Sequence, residues 1–159
     1  MRLEQRLGSC RLLGTLRLEG WRLVFDKRGA DGSAKANLRP APGSDHAAWA
    51  AVYAVERDRL ELLDHFEGCG RGYETVRFEI DMGRQTLEAL AYLTPSQWTT
   101  RAMRPYRWYR ELVAAGARFH GFPADYVSRL AGQPVSDDPD SQRASARQAL
   151  LRQINDHRR

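Results

Sequence analysis

Apolar and polar residues alternate along several short stretches of this chain, the pattern of β-strands that bury one face. In one such stretch Trp21, Leu23 and Phe25 fall on the same face, and Glu19-Gly20 predicts a turn before it. The pattern predicts strands over residues 12–18, 21–25, 34–38, 49–55, 73–81 and 86–93. The last two are close enough in sequence to predict a β-hairpin with a short loop.

Helical spacing of apolar residues dominates the rest of the chain. Helices are predicted over a segment that ends at Glu67 and over residues 105–119, 124–130 and 141–154. Pro105 is expected to open the second of them, since proline is favoured in the first turn. One stripe of that helix would carry Tyr109, Leu112, Val113 and Gly116. Short strands followed by grouped helices indicate the α+β class.

The chain of 159 residues is long enough for one domain with a buried core. A polar stretch over residues 137–141 precedes the last predicted helix. We therefore expect a domain over residues 1–135, then a polar linker and a C-terminal helical tail over residues 136–159. Residues 27–33 are expected to form a loop, because Gly29 and Asp31-Gly32 are turn signals.

A carboxylate stands at the end of the first predicted helix, where an apolar residue would be expected. Leu60, Leu63 and Glu67 are spaced i, i+3 and i+7 on one helical face, and Gly68 follows as a helix-ending glycine. Desolvation and the helix dipole would both favour the protonated acid, as proton transfer requires. The alternative is a surface glutamate at a frayed helix end. Asp64, three residues earlier, could share a proton with Glu67 or face solvent.

Composition excludes several classes of function. The net charge is +5, but the arginines are scattered among acidic residues and form no basic run, which disfavours nucleic-acid binding. No apolar run is long enough to cross a membrane. The first residues carry charge and no apolar signal segment, so a cytoplasmic location is expected.

The motifs of several enzyme classes are missing as well. The sequence has no Gly-rich phosphate loop and no G-x-S-x-G motif, and its four histidines lack metal-ligand spacing. These absences disfavour a phosphate-binding loop, a metal site and the α/β-hydrolase class. Cys10 and Cys69 have no C-x-x-C spacing. Cys69 is a conceivable nucleophile beside Glu67, although a bystander thiol explains it as well.

The segment 63–68, Leu-Asp-His-Phe-Glu-Gly, followed by Tyr73, resembles the γ-glutamylcyclotransferase family, which shares its fold with plant avirulence-induced proteins. That family has Leu-Asp-x-x-Glu-Gly and then an aromatic residue. Other segments are similar in the same order, and together they span residues 12–130. They are 25–37, 49–53, Tyr92, 105–109, 116–117 and 121–126.

This resemblance implies a small mixed β-barrel with peripheral helices. It also implies a reaction that needs no cofactor, in which a γ-glutamyl amide closes to 5-oxoproline and releases an amine. Glu67 would be the general acid/base, and Tyr92, Tyr109 and Tyr73 would bind the small-molecule substrate. Packing in the core is the alternative for the tyrosines. Whether the chain forms a homodimer stays open.

The N-terminal residues depart from the family pattern. Family members open with a strand that carries Tyr-Gly-Ser-Asn, whose N–H groups hold the glutamyl part of the substrate. This sequence starts after that point, and residues 2–7 resemble a remnant of the helix that follows it. Two hypotheses result: a cyclotransferase-like enzyme, or a non-catalytic member that binds a small molecule or a protein.

Overall fold

The computed structural model describes residue 8 and residues 10–156 apart from 44, 68, 71 and 84, with side chains up to residue 152. The helix remnant expected over residues 2–7 lies outside the described residues. Six strands are present: β1 (Arg11–Glu19), β2 (Trp21–Arg28), β3 (Ala34–Pro40), β4 (Ala47–Ala54), β5 (Glu74–Asp81) and β6 (Thr86–Leu93). The helices are α1 (Leu60–Glu67), α2 (Arg107–Phe119), α3 (Ala124–Ala131) and α4 (Ser141–Asp156), with 3-10 turns at Arg57–Arg59 and Ser96–Trp98.

The described strands pair two by two, as β1–β4, β2–β3 and β5–β6. The pairings β1–β4 and β5–β6 are antiparallel, and the first contains a register shift between Leu12 and Gly14. The α+β class is confirmed. Within the described residues the small sheets do not close into one hydrogen-bonded barrel. Gly20 forms the predicted turn with φ 71°, but β1 pairs with β4 instead of with its neighbour β2.

Several predicted element boundaries were wrong by one to three residues, and tertiary contacts explain two of them. Strand β2 continues to Arg28, through the start of the predicted loop, because it pairs with β3 and because the Asp26 carbonyl accepts a hydrogen bond from Thr100 N–H at 2.7 Å. Helix α2 begins at Arg107 and not at Pro105, since Tyr106 is extended with φ −66° and ψ 147° and forms a bridge with Ser136. The β5–β6 hairpin is confirmed.

The chain divides into two compact units. Unit 1 comprises Met1–Val24 and Asn37–Thr99, and unit 2 comprises Phe25–Ala36 and Thr100–Arg159. In unit 1 the only apolar side chains of the described residues that are fully buried are Ala48 and Ile80. The rings of Trp21 and Phe78 meet edge to face with centroids 5.1 Å apart. The apolar residues of unit 1 are thus mostly half-buried, around a cavity.

Unit 2 has a core of fully buried side chains. Helices α3 and α4 both pack against α2. The core contains Tyr106, Trp108, Ala115 and Leu151. The predicted stripe of α2 is only partly correct, because Tyr109 and Leu112 are half-buried whereas Trp108 and several alanines are the buried residues. Leu151 comes from α4, so the segment predicted as a tail contributes to this core.

None of the helices in the described ranges is long and apolar enough to cross a membrane. The cytoplasmic location stays a prediction.

Candidate active site

Unit 1 contains a cavity of about 570 Å³. Its walls are mainly aliphatic side chains and the rings of Phe78, Tyr53 and Tyr92. The three residues of α1 that line it are Leu60, Leu63 and Glu67. These are the three residues that helical spacing had put on one face, so the predicted inward face is confirmed. A carboxylate therefore borders a mostly apolar hollow.

Glu67 is the last residue of α1 and is half-buried. Just beyond it, Cys69 N–H donates to the Asp64 carbonyl at 2.9 Å, which closes the end of the helix. Cys69 also bridges to Tyr73, whose carbonyl accepts a hydrogen bond from Gly70 N–H at 2.8 Å. These contacts turn the chain directly after Glu67 and so determine where α1 ends. The helix-ending role predicted for Gly68 lies outside the described residues.

Asp64 and Tyr92 form a hydrogen bond beside Glu67. The Tyr92 hydroxyl donates to Asp64 Oδ1 at 2.5 Å. Burial, this hydrogen bond and the charge of Asp64 raise the pKa of Tyr92 well above its ordinary value, and Cys69 and Glu67 add to the effect. The tyrosine therefore stays neutral at any physiological pH.

This geometry decides what Tyr92 can offer to a ligand. Its single O–H hydrogen is directed at Asp64, so the lone pairs of the phenolic oxygen remain to accept hydrogen bonds. Tyr92 and Glu67 both line the cavity. The arrangement presents an acceptor oxygen and a carboxyl group to one apolar space, and it suits a ligand with an N–H group to be held and a proton to be moved.

Glu88 is a second acid on the cavity wall, but its surroundings differ. Its side chain is 61% exposed and forms an ion pair with Arg77. It is mainly in contact with solvent and that arginine. Glu88 is therefore a natural control for Glu67.

The cavity of unit 1 brings together two of the four residues that the sequence predicted for the site. Glu67 and Tyr92 line it, whereas Tyr73, in the same unit, is not among its lining residues. Tyr109 lies in unit 2, where its hydroxyl accepts a hydrogen bond from Ala36 N–H at 3.2 Å and its ring meets Phe25 and Trp108 edge to face. These contacts are those of a packed aromatic residue.

No pattern in the sequence predicts the network around Lys35 in unit 2. The Lys35 ammonium group donates to Asp31 at 2.6 Å and to Ser33 Oγ at 2.7 Å. It also lies 4.8–5.8 Å from the ring centroids of Tyr109, Trp108 and Tyr106. Burial alone would raise the pKa of Asp31, but the hydrogen bonds from Lys35 and Ser33 outweigh it and lower that pKa.

The C-terminal contacts of unit 2 were also missed. Asp138 accepts hydrogen bonds from the Trp108 indole at 2.8 Å and from Arg143 Nε at 2.7 Å. The hydrogen bonds from Arg143 lower the pKa of Asp138 far below its ordinary value against the opposing effect of burial. An Asp-rich linker gave no signal for this, since only folding brings Trp108 to it.

Cys69 is exposed, with its Sγ 3.5 Å from Thr75 Oγ1. Among the residues that the structure describes, no group of three or more His, Cys, Asp or Glu side chains could hold a metal ion.

Comparison with known proteins decides the family. The model of the AIG2-like family matches residues 47–130, more than half of the chain. The chain belongs to the AIG2-like family. The AIG2-like match runs from the start of β4 into α3, so it includes all four of the predicted site residues: Glu67, Tyr73, Tyr92 and Tyr109. No curated protein matches the sequence significantly.

Solved structures agree with this AIG2-like assignment. The fold is similar to a structure named "Gamma-glutamyl cyclotransferase", with a TM-score of 0.79 and 18% identity over 96% of this chain and 90% of that chain. It is similar to an uncharacterized protein from Homo sapiens, with a TM-score of 0.78 and 19% identity over 95% and 90% of the chains. YkqA from Bacillus subtilis gives a TM-score of 0.63 and 13% identity over 85% and 49%. At these identities the likeness shows the fold, which is the γ-glutamylcyclotransferase-like fold.

Proposed function

We propose that this protein is a cofactor-independent cyclotransferase that converts a γ-glutamyl amide to 5-oxoproline and a free amine. One observation carries the proposal: Glu67 lines an apolar cavity next to a tyrosine whose hydroxyl is oriented by Asp64. The likeness to a structure named as a γ-glutamyl cyclotransferase supports the choice of reaction. The sequence pattern makes Glu67 a candidate for proton transfer, and the family resemblance implies its acid/base role.

The reaction needs one group that takes a proton and then returns it. The α-amine of the glutamyl part attacks its own γ-carbonyl carbon, so a C–N bond forms within the ring while the original amide C–N bond breaks. The Glu67 carboxylate accepts the proton that the attacking amine loses. The resulting carboxylic acid gives that proton to the departing nitrogen, and the carboxylate is regenerated. Atoms and charge balance without water or an oxidant.

Positioning supplies a large part of the acceleration. The attack is intramolecular, so a cavity that holds the glutamyl chain folded back on itself keeps the amine and the carbonyl carbon close together. Binding then offsets much of the entropy cost of reaching the transition state. The lone pairs of Tyr92 would accept an N–H of the attacking amine and keep it near Glu67. The apolar walls exclude water and strengthen each polar contact in the cavity.

The test is release of 5-oxoproline from γ-glutamyl dipeptides and γ-glutamyl amines. We expect Glu67→Gln to lower kcat by about 10²–10⁴-fold, because glutamine fills the same space but cannot carry the proton. An unchanged rate in this variant, or no release by the wild-type protein from either substrate class, would overturn the proposal.

Glu88→Gln is the matched control. It removes a carboxylate that also lines the cavity but is exposed and paired with Arg77. We expect this variant to retain wild-type kcat. A loss equal to that of Glu67→Gln would mean that the charge of the cavity matters and not proton transfer at residue 67.

A further inference from the structure

One face of the β5–β6 hairpin forms an apolar part of the cavity wall. Residues that pair directly across two strands lie on the same face of a sheet. Phe78 pairs with Ala89. Two residues further along β5, Ile80 pairs with Leu87. All four side chains therefore share one face, and all four line the cavity. Ile80 is only 5% exposed, so this part of the wall is well enclosed.

The opposite face of β6 and the end of α1 form the polar part of the wall. Glu88 and Tyr92 occupy the positions of β6 that alternate with Leu87 and Ala89, so they lie on the other face. Both line the cavity together with Glu67. The Glu88 side chain is 61% exposed. The polar part therefore borders solvent, whereas the apolar part is more enclosed.

Strands β1 and β4 extend the apolar part. Leu16 and Leu18 are two residues apart in β1, are half-buried and line the cavity. Ala50, the strand partner of Leu16, lines it as well. Because alanine carries a single methyl group, Ala50 and Ala89 take up little of the space. The cavity thus remains open beside an apolar surface.

The charges of the wall disfavour a second anionic group in the ligand. Among the described residues that line the cavity, the charged ones are Glu67 and Glu88, and none is Lys, Arg or His. A carboxylate on the leaving amine would lose water and face two acids. The α-carboxylate of the glutamyl part is common to every γ-glutamyl substrate, so its cost cancels when two such substrates are compared.

The size of the cavity leaves room for a large leaving group. Its volume of about 570 Å³ equals that of roughly 19 molecules of liquid water at about 30 Å³ each. The nine non-hydrogen atoms of a γ-glutamyl group fill about half of that volume on the same scale. Space for an amine of about ten non-hydrogen atoms remains.

We infer that the preferred substrates are γ-glutamyl amides of long, uncharged, apolar amines. The glutamyl part lies at the polar end, beside Glu67 and Tyr92, and the amine chain lies against the face formed by Phe78, Leu87 and Ala89. The inference rests on the proposed cyclotransferase activity and names the substrate class of that same site. Each methylene placed against this face is removed from water, which strengthens binding.

A series of γ-glutamyl n-alkylamides, from methylamide to hexylamide, tests the inference. We expect kcat/KM for release of 5-oxoproline to rise about two- to fourfold with each added methylene. Equal values of kcat/KM across the series would overturn the inference and leave the cyclotransferase activity standing.

A matched pair of substrates tests the exclusion of a carboxylate. γ-Glutamyl-norleucine and γ-glutamyl-n-pentylamide have the same alkyl chain and differ by one carboxylate on the leaving amine. We expect kcat/KM to be at least about tenfold lower for the norleucine compound. Equal values, or a preference for norleucine, would contradict the inference.

Two variants locate the site of the alkyl chain. Ala89→Leu adds three carbons to the apolar part, so it should lower the ratio of kcat/KM between hexylamide and methylamide at least about tenfold. Ala146→Leu is the matched control, because Ala146 is exposed, lies on α4 and does not line the cavity. This control should keep the wild-type ratio, and an equal loss in both variants would contradict the placement. The wild-type series decides the substrate class even if Ala89→Leu fails to fold.

Calorimetry separates this inference from the proposed activity. Binding of the alkylamides to the Glu67→Gln protein is measured without turnover, and affinity should rise with chain length by the same two- to fourfold for each methylene. If no amide yields 5-oxoproline but affinity rises in this way, the proposed reaction fails and the preference of the cavity for an apolar amine stands. If affinity is independent of chain length, the inference fails whatever the activity.

Discussion

At the scale of single residues, the main finding is the partner of Asp64. Helical spacing left two options for this carboxylate, sharing a proton with Glu67 or facing solvent. The structure gives a third, in which Asp64 accepts a hydrogen bond from Tyr92, 28 residues further along the chain. Because that contact orients the tyrosine at the cavity, Asp64 is a positioning residue for the proposed reaction.

We predict that Asp64→Asn lowers the pKa of Tyr92 toward its ordinary value, since the negative charge that opposes phenolate formation is removed. The free energy of unfolding should fall by about 1 kcal/mol, because a charge-assisted hydrogen bond becomes a neutral one. NMR titration of ¹³C-labelled tyrosine rings measures the first effect and urea unfolding the second. Asp58→Asn, on an exposed side chain, should change neither.

At the scale of elements, Lys35 connects β3 to the start of α2 within unit 2. Its ammonium group is held by Asp31 and Ser33 and lies over three aromatic rings that belong to the residues around the first turn of α2. A desolvated cation over several rings is a strong form of this interaction. The contact therefore determines how the β2–β3 loop and α2 meet.

We predict that Lys35 reacts more slowly than Lys27 with acetic anhydride in the folded protein. The Lys35 side chain is 18% exposed and its ammonium group is held by Asp31 and Ser33, whereas the hydrogen bond from Lys27 to the Arg28 carbonyl is exposed. These are the two lysines of the chain, so mass spectrometry distinguishes them directly. Lys35→Gln should lower the free energy of unfolding by about 1–3 kcal/mol. Lys27→Gln should lower it by less than Lys35→Gln does, because the contacts with the three rings are those of Lys35. Equal reactivity of the two lysines would contradict this interpretation.

At the scale of the whole molecule, the two units differ in how fully they bury their apolar side chains. Unit 2 completes its core with residues of its C-terminal segment, since Leu151 packs into the cluster and Asp138 accepts hydrogen bonds from Trp108 and Arg143. Unit 1 instead leaves a cavity at its centre. Stability is therefore expected to reside in the packing of unit 2, and ligand binding in the cavity of unit 1.

The dependence of stability on pH follows from Asp138. The pKa of Asp138 is lower in the folded protein than in the unfolded protein, where it has its ordinary value of 3.8. Between the folded and the unfolded pKa the unfolded state binds more protons, so stability increases with pH in that range. The contribution is fully present above about pH 4 and is lost as the pH falls through the folded pKa. We predict that Asp138→Asn lowers the unfolding midpoint in urea at pH 7, and that the difference from wild type shrinks below pH 4.

Asp137→Asn provides the comparison for this prediction. Asp137 is the neighbouring residue and pairs with Arg107, but its side chain is 84% exposed. Surface pairs of this kind contribute little, so we expect a midpoint equal to that of the wild type at both pH values. A similar loss in both variants would show that the linker charge matters and not the contact with Trp108.

The local pattern of the sequence was sufficient for most elements and for the position of Glu67 on the face of α1 that lines the cavity. The alternating strands, the hairpin β5–β6 and the face formed by Leu60, Leu63 and Glu67 depend on periodicity, which acts over a few residues and is visible in the sequence. The start of α2 and the end of β2 were wrong because contacts with Ser136 and Thr100, distant in sequence, override the local signals. The roles of Tyr73, Tyr92 and Tyr109 in substrate binding stay predictions.

The sequence by itself determined the α+β class, the acid at the end of α1 and its inward face, since spacing along a helix or strand fixes which side chains share a face. Only the tertiary structure decided which residues meet across that sequence distance: Tyr92 with Asp64, Lys35 with three aromatic rings, and residues of β4 and β6 around one cavity. Such contacts depend on how elements pack, and packing energy is shared among many residues with no periodic signature in the sequence.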